Sequence, residues 1–380
     1  MNASTLQRRS TGRAISTAIP LGTLILFGLV ALGVVAAVLR YSQGLGATTN
    51  LRDDVSWGLW IGLDVMGGVA LAGGGFTMAA IVYIFRVKRF YPLARPAILT
   101  AYVGYILAAG SILFDLGRPE RFYHFLIFRN VHSIMFEVAM SVFSYLIVLT
   151  IENSQWVAER IRWKWWLGVL RRVLLVFIVL GIIISTLHQS SLGALFLMSP
   201  HRLPAVWYTP LLPVLFYVSA IMVGMAMVIV ESLLSASAFR RKPELHLLGE
   251  LGGWLRYALA FYLLLKAADI VIGGDVARLV TSGTASLFFW LEVGFGVILP
   301  LILLSSSRIR RNRVTLFRSA LLVVLGVLLN RFNVLFFGMG GVIYAPTWIE
   351  FAISAGLTSF GILMYMFAAK YFPVLDQHPH

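Results

Sequence analysis

Cysteine is absent from the 380 residues. That excludes a disulfide, a thiolate metal site and a cysteine-held iron–sulfur cluster within this chain. Charge is scarce too: 12% of residues are Asp, Glu, Lys or Arg, against 59% hydrophobic. So little polar surface cannot cover a soluble globule, and the composition points to a polytopic membrane protein. Histidine is rare and poorly placed for haem. Of the seven, His188 alone falls in an apolar stretch, near its outer end, while His124, His132, His201, His246, His378 and His380 sit in loops or the tail. Paired axial histidines on facing helices are missing, so the reading is no haem and no iron–sulfur cluster in this chain. Redox work would need a diffusible organic carrier and a metal-bearing partner.

What the sequence has is long apolar runs. Ten lie at roughly 15–39, 57–85, 97–116, 133–151, 169–190, 207–234, 252–272, 284–304, 315–337 and 347–372. A bilayer core takes about 20 apolar residues per helix, and continuous runs exclude the alternating pattern of a barrel. The expected fold is an all-α integral membrane protein with about ten transmembrane helices. With the amino terminus placed in the cytoplasm, 22 of the 31 basic residues fall on the inner side, among them Arg8, Arg9, Arg13 and Lys370. Seven, Arg40, Arg52, Arg118, Arg121, Arg129, Arg202 and Arg278, fall outside, and Lys266 and Arg331 lie within spans. This positive-inside bias predicts an inner-membrane protein with both termini cytoplasmic. The net charge of +15 then faces anionic membrane lipid and requires no nucleic acid. Arg8-Arg9 stands before a run too long for a signal-peptide core, and the first run is read as a retained helix.

Acids recur inside the spans. Asp115 and Glu137 lie 22 residues apart, and Asp269 and Glu292 lie 23 apart. Ionisable groups in the hydrocarbon region usually mark an ion, proton or substrate path. The matched spacing suggests a duplication: spans two to five and six to nine as two four-helix bundles, plus flanking helices. Domain limits follow at 1–56 for the N-terminus, first span and outer loop, 57–200 and 201–338 for the bundles, and 339–380 for the last span and tail. Chance alignment of four acids is the plain alternative.

Trp57, Trp60 and Asp64 are spaced to share one face of an α-helix descending from the outer interface. Belt anchoring is the usual role of interfacial tryptophan, but Asp64 needs a partner or a proton. The fifth run closes on Thr186-Leu187-His188-Gln189-Ser190-Ser191, bringing an imidazole, an amide and hydroxyls to one level. A quinone, with two carbonyl acceptors on an apolar ring, asks for such donors in an apolar cleft, and histidine titrates near neutral pH. In the second bundle Lys266 and Asp269 are placed to pair, with Glu292 near mid-membrane and Arg331 between Asn330 and Asn333. Glu231 could admit protons from the cytoplasm, with Tyr83, Glu152 and Arg256 as neighbours. Helix-fixing ion pairs are the alternative reading of these groups. Arg118, Glu120 and Arg121 either dock a partner or are solvated, and Gly338, Gly340 and Gly341 read as a turn. Gly67, Gly68, Gly73, Gly74 and Gly75 read as close-packing positions.

Several segments carry a resemblance: Trp57-Gly58-Leu59-Trp60-Ile61-Gly62-Leu63-Asp64, Tyr91-Pro92-Leu93-Ala94-Arg95-Pro96, Asp115-Leu116-Gly117-Arg118-Pro119-Glu120-Arg121-Phe122, Phe136-Glu137, His188-Gln189-Ser190-Ser191-Leu192-Gly193, Phe289-Trp290-Leu291-Glu292-Val293 and Pro346-Thr347-Trp348. From about residue 50 to 372 the chain resembles the NrfD/polysulfide-reductase membrane-subunit family, nearest its HybB-like members from hydrogenase-2 type complexes. The resemblance implies a quinone-reactive subunit of a respiratory oxidoreductase such as a NiFe hydrogenase. It would dock a periplasmic ferredoxin-like iron–sulfur subunit and exchange electrons with menaquinone or another quinone. The quinone head is then expected in the first bundle near Trp57, Trp60, Asp64, His188, Gln189 and Ser190, with Glu137, His188 and Asp64 in the chemistry. The proton path would run over Asp115, Glu137, Glu231, Lys266, Asp269, Glu292 and Arg331. A secondary transporter or proton channel, or a passive membrane anchor, are the competing classes.

Overall fold

The computed structural model describes residues 21–55, 57–198, 202–338 and 344–375. Arg8, Arg9, Arg13, His201, Gly340, Gly341, His378 and His380 lie outside the described residues. Among the rest, ten long helices carry the chain: α1 Leu21–Gln43, α2 Trp60–Ile84, α3 Lys88–Asp115, α4 Ile134–Ile161, α5 Lys164–Met198, α6 Leu212–Ala238, α7 Leu245–Ile272, α8 Thr284–Ser305, α9 Arg313–Gly338 and α10 Trp348–Tyr371. All but α7 are apolar enough throughout to cross a bilayer by length and composition. α7 is as long, but Glu250, Arg256, Lys266 and Asp269 interrupt its apolar run. The protein is an all-α integral membrane protein of about ten spans.

Helix ends follow from local chemistry. Pro92 and Pro213 stand in the first turns of α3 and α6, where the missing N–H has no intrahelical partner to lose. Ser133 caps α4, and Thr347 with Glu350 closes a capping box on α10. At the opposite face Arg86, Arg162 and Arg240 take left-handed φ of 57, 57 and 53° where α2, α4 and α6 stop. Two helices are irregular. α2 begins and ends in π-turns, Trp60–Gly67 and Ala80–Ile84, and α8 holds one at Gly294–Ile298.

The helices alternate in direction, giving one arginine-rich face and one arginine-poor face. α2, α3, α4 and α5 pack in a ring, and α6, α7, α8 and α9 pack in a second. α6 and α9 join the rings by packing on α2 and α5, while α1 and α10 pair with each other and lean on α3 and α2. Glycines set close crossings: a Cβ on Gly296 of α8 would run into the backbone of Gly326 in α9, one on Gly224 of α6 would stand 2.6 Å from the backbone of Gly73 in α2, and one on Gly33 of α1 would stand 2.8 Å from Gly356 in α10. The apolar segment of α2 is 83% buried and that of α6 72%, against 11% for α1 and 17% for α5. The first two helices are therefore the core, and the last two present most of their surface to lipid.

Candidate functional site

A polar cluster lies at the arginine-poor end of the first ring. Trp60 is fully buried among Ala36 of α1, Ile349, Ala352 and Ile353 of α10, and Phe114 of α3. Its indole N–H has no hydrogen-bond partner. One turn on, the Ser354 hydroxyl donates to Asp64 at 2.7 Å. Above them the Leu59 N–H donates to the Tyr344 hydroxyl at 3.0 Å, Tyr344 donates to Glu350, and the Thr347 N–H donates to the other Glu350 oxygen at 2.8 Å. Burial, and then the bond to Glu350, push the Tyr344 phenol well above its ordinary pKa. Arg40, 2% exposed, donates to the carbonyls of Phe114 at 2.9 Å and Leu116 at 2.6 Å. Arg40 is thus no outer-loop cation; it belongs to the last turn of α1 and is folded inward. Asp115 stands within electrostatic reach of both Arg40 and Glu350, and one of its oxygens is buried without a partner.

The π-turn alters the face on which these residues fall. Trp57 precedes the helix and meets Phe196 edge-on at 6.1 Å, while Trp60 meets Phe114 at 6.2 Å. The expected single face of Trp57, Trp60 and Asp64 therefore does not form: Trp57 lies before the helix, and a wider turn replaces the α-helical one between Trp60 and Asp64.

His188 occupies a second, deeper cluster. Six more α-helical residues and the 3-10 turn Leu195–Met198 follow it, so it is not at the outer end of its span. It is fully buried, its Nδ1 3.0 Å from the Tyr105 hydroxyl and its Nε2 without a partner. Tyr145 packs edge-on against Tyr105 at 4.6 Å. Gln189 donates to the Val69 carbonyl at 3.0 Å, at the foot of the π-turn, and Ser190 bonds back to Thr186. No hydrogen bond among the described residues links His188 to Asp64. Glu137 is exposed, and it lies 2.6 Å from the Ser191 hydroxyl, which also lies 2.7 Å from the Leu187 carbonyl. Ser191 has one proton to give, so this geometry accepts Glu137 either as a carboxylate or as an acid.

In the second ring Glu292 is a hub. One oxygen receives Lys266 at 2.7 Å and Asn330 at 2.8 Å; the other receives the Trp207 indole and Asn333, both at 3.0 Å. Arg331, fully buried, donates to Asn330, Ser219 and the Phe216 carbonyl and lies over the Phe216 ring at 3.6 Å. Lys266 pairs with Glu292 rather than with Asp269, whose carboxylate accepts from Thr209 at 2.5 Å. Toward the arginine-rich face, Thr100 and Tyr365 donate to Glu231 at 2.7 and 2.5 Å. Arg95 pairs with Glu159 at 3.2 Å. Glu152 and Tyr83 line a small cavity beside Arg95, and Arg256 lies over Tyr257 rather than beside Glu231.

Sequence reasoning missed Arg40, Tyr105, Ser354 and Tyr365, which carry no motif of their own. Glu350 had a signal, three residues after the Thr347 cap.

Buried acids, an unpartnered indole and an unpartnered imidazole within lipid-facing helices define an integral membrane protein built around internal polar chemistry. The polysulphide reductase NrfD family model matches residues 47–343, and the chain belongs to that family. A protein of Nitratidesulfovibrio vulgaris is 35% identical over 98% of each chain. The "Probable Ni/Fe-hydrogenase 2 b-type cytochrome subunit" of Escherichia coli is 31% identical over 93% of this chain and 92% of its own. The menaquinone reductase integral membrane subunit of Nitratidesulfovibrio vulgaris is 26% identical over 91% and 89%. That second name includes a cytochrome. Among the described residues two histidines lie within the ten long helices: His188, whose Nδ1 faces Tyr105, and His246, in the first turn of α7.

Proposed function

We propose that this chain is the quinone-reactive membrane subunit of a respiratory oxidoreductase complex, exchanging electrons between an iron–sulfur partner subunit and menaquinone or menaquinol. The names of its relatives support a multisubunit oxidoreductase, with a hydrogenase as the favoured catalytic partner. The observation that carries the reading is the buried Trp60 N–H, unpartnered beside Asp64 and beneath the lipid-facing pair α1 and α10. An indole N–H is a donor only, suited to a carbonyl oxygen. Asp64, held by Ser354 through one oxygen, is positioned to pass a proton. A bound quinone supplies two-electron, two-proton redox chemistry, and the chain's part is to orient the head, exclude water and deliver protons. His188, with Nε2 unpartnered, is the second proton-bearing group of the first ring.

Protons are handed on through Asp115 and Glu137, with Glu231, Lys266, Asp269, Glu292 and Arg331 as the further candidates. Glu137 is favoured because its contact with Ser191 tolerates both protonation states. The irregular helices α2 and α8 hold different positions in their rings, which weighs against a repeat transporter with matched broken helices. The positive-inside bias puts the arginine-poor face in the periplasm of the inner membrane, both termini in the cytoplasm, and a ferredoxin-like partner on that outer face.

The test is turnover of a menaquinone analogue by the purified complex. Asp64→Asn is expected to lower it by about 100-fold, within the range of lost general acid catalysis, and Trp60→Phe to raise KM for the quinone. If both variants reduce quinone at the wild-type rate while the complex stays assembled, the passive anchor replaces this reading.

A further inference from the structure

The arginine-rich face holds a feature that quinone chemistry does not use. A groove of about 1020 Å³ opens between the ends of α3, α4 and α5 and the segment that follows α10. Arg160, Arg162, Lys164 and Arg171 line one side, and Arg241 and Lys370 the other; all six are exposed. Among the described residues none of the six is in an ion pair. Among the described residues lining the groove the one acid, Glu159, is already held by Arg95 at 3.2 Å and Gln155 at 2.8 Å. Among the described residues the groove is therefore a concavity in which the cations on two walls outnumber the one acid.

Its depth says what kind of anion fits. Leu167 and Leu174, both half-buried, continue the wall down α5, while Leu170 between them is packed into the protein at 1% exposure. Trp163 and Trp165, on either side of Lys164 in the chain, are exposed, as tryptophans are at a membrane interface. A soluble phosphate would use the cations and leave the leucines idle. An anionic lipid uses both, and two facing cationic walls suit a headgroup with two phosphates better than one.

We propose that this groove binds a diphosphatidyl lipid of the cardiolipin class, its phosphates between the α4–α5 wall and the Arg241–Lys370 wall and its acyl chains along Leu167 and Leu174. The site is independent of the quinone reading, since none of its residues lies in that cluster.

Native mass spectrometry of the detergent-purified complex tests it, with tetraoleoyl cardiolipin, dioleoyl phosphatidylglycerol, dioleoyl phosphatidylcholine or sodium pyrophosphate added separately. Cardiolipin is expected to bind about tenfold more tightly than phosphatidylglycerol, the gain from roughly one further charge at a basic surface. Arg171→Gln with Lys370→Gln should abolish that preference. Arg308→Gln with Arg311→Gln removes equal charge elsewhere on the same face and should leave it intact. Equal binding of phosphatidylcholine, or loss of the preference in the Arg308 and Arg311 pair, would reduce the groove to general surface charge and overturn the proposal. Pyrophosphate binding as tightly as cardiolipin would overturn it in favour of a soluble phosphate.

Discussion

At the scale of single residues, the exposed Glu137 and the buried Glu292 differ in what their neighbours allow. Glu292 receives four donors, and every one is a group that can only donate in this arrangement: an ammonium, an indole N–H and two amide NH₂ groups. Asn330 must present its NH₂ to Glu292 because its carbonyl accepts from Arg331. The carboxylate is thus saturated as an anion and fixed against α7 and α9. Removing one partner of such a pair leaves a charge uncompensated, at a typical loss of about 3–5 kcal/mol. Glu292→Gln is therefore expected to destabilise the protein by about that much, and Glu292→Gln with Lys266→Met to recover most of it. Thermal unfolding in detergent reads both. If the double variant is no better than the single, Lys266 and Glu292 are not coupled as the 2.7 Å contact indicates. Which acid would be saturated and which switchable was not legible in the sequence. Spacing placed Glu137 and Glu292 at equivalent points in two bundles, whereas their donors come from residues 26 to 85 positions away and a serine 54 away.

At the scale of helices, the sequence carried more. All ten spans stand where the apolar runs placed them, most of them extended by a turn or more into the polar flanks, because continuous apolar runs of membrane length admit few other structures. The glycines of α2 were read as packing positions, and Gly73 and Gly74 do meet the backbone of Gly224 in α6. What spacing could not reveal was the π-turn at Trp60–Gly67. It depends on which backbone bonds close under tertiary packing, and it widens the turn between Trp60 and Asp64. The Gly73–Gly224 crossing gives an element-level prediction. A side chain at Gly224 meets backbone, which cannot rotate away, so Gly224→Val should push α6 from α2 and cost about 1–3 kcal/mol or more. Gly110→Ala, whose new methyl would have only Leu357 at 3.8 Å, should be neutral. Unfolding temperature and retention of the purified complex report the difference. Equal behaviour of the two variants would mean that the rings are not held by this contact.

For the whole molecule, the absence of cysteine becomes a tool. Any cysteine introduced into this chain is the only one present. With the arginine-poor face outside, Arg129→Cys, in the exposed loop before α4, should react with a membrane-impermeant maleimide in intact cells, and Asn312→Cys, before α9, only after lysis. The reverse pattern would invert the orientation and move the iron–sulfur partner to the other face. Orientation also fixes the meaning of a proton measurement. In liposomes containing the complex, quinone reduction consumes two protons, and the side from which they come decides whether a gradient forms. Glu137 sits in the first turn of α4, toward the arginine-poor face, with a serine that accepts either of its protonation states. Glu137→Gln keeps the size and the contact with Ser191 but carries no exchangeable acid proton. If Glu137 feeds protons to the quinone, the variant should lose quinone reduction by about 100-fold and internal pH change with it. If it serves coupling alone, reduction should continue while the pH change vanishes. Unaltered rates and unaltered pH would make its bond to Ser191 a helix-fixing contact between α4 and α5 and leave proton delivery to Asp115 and Asp64.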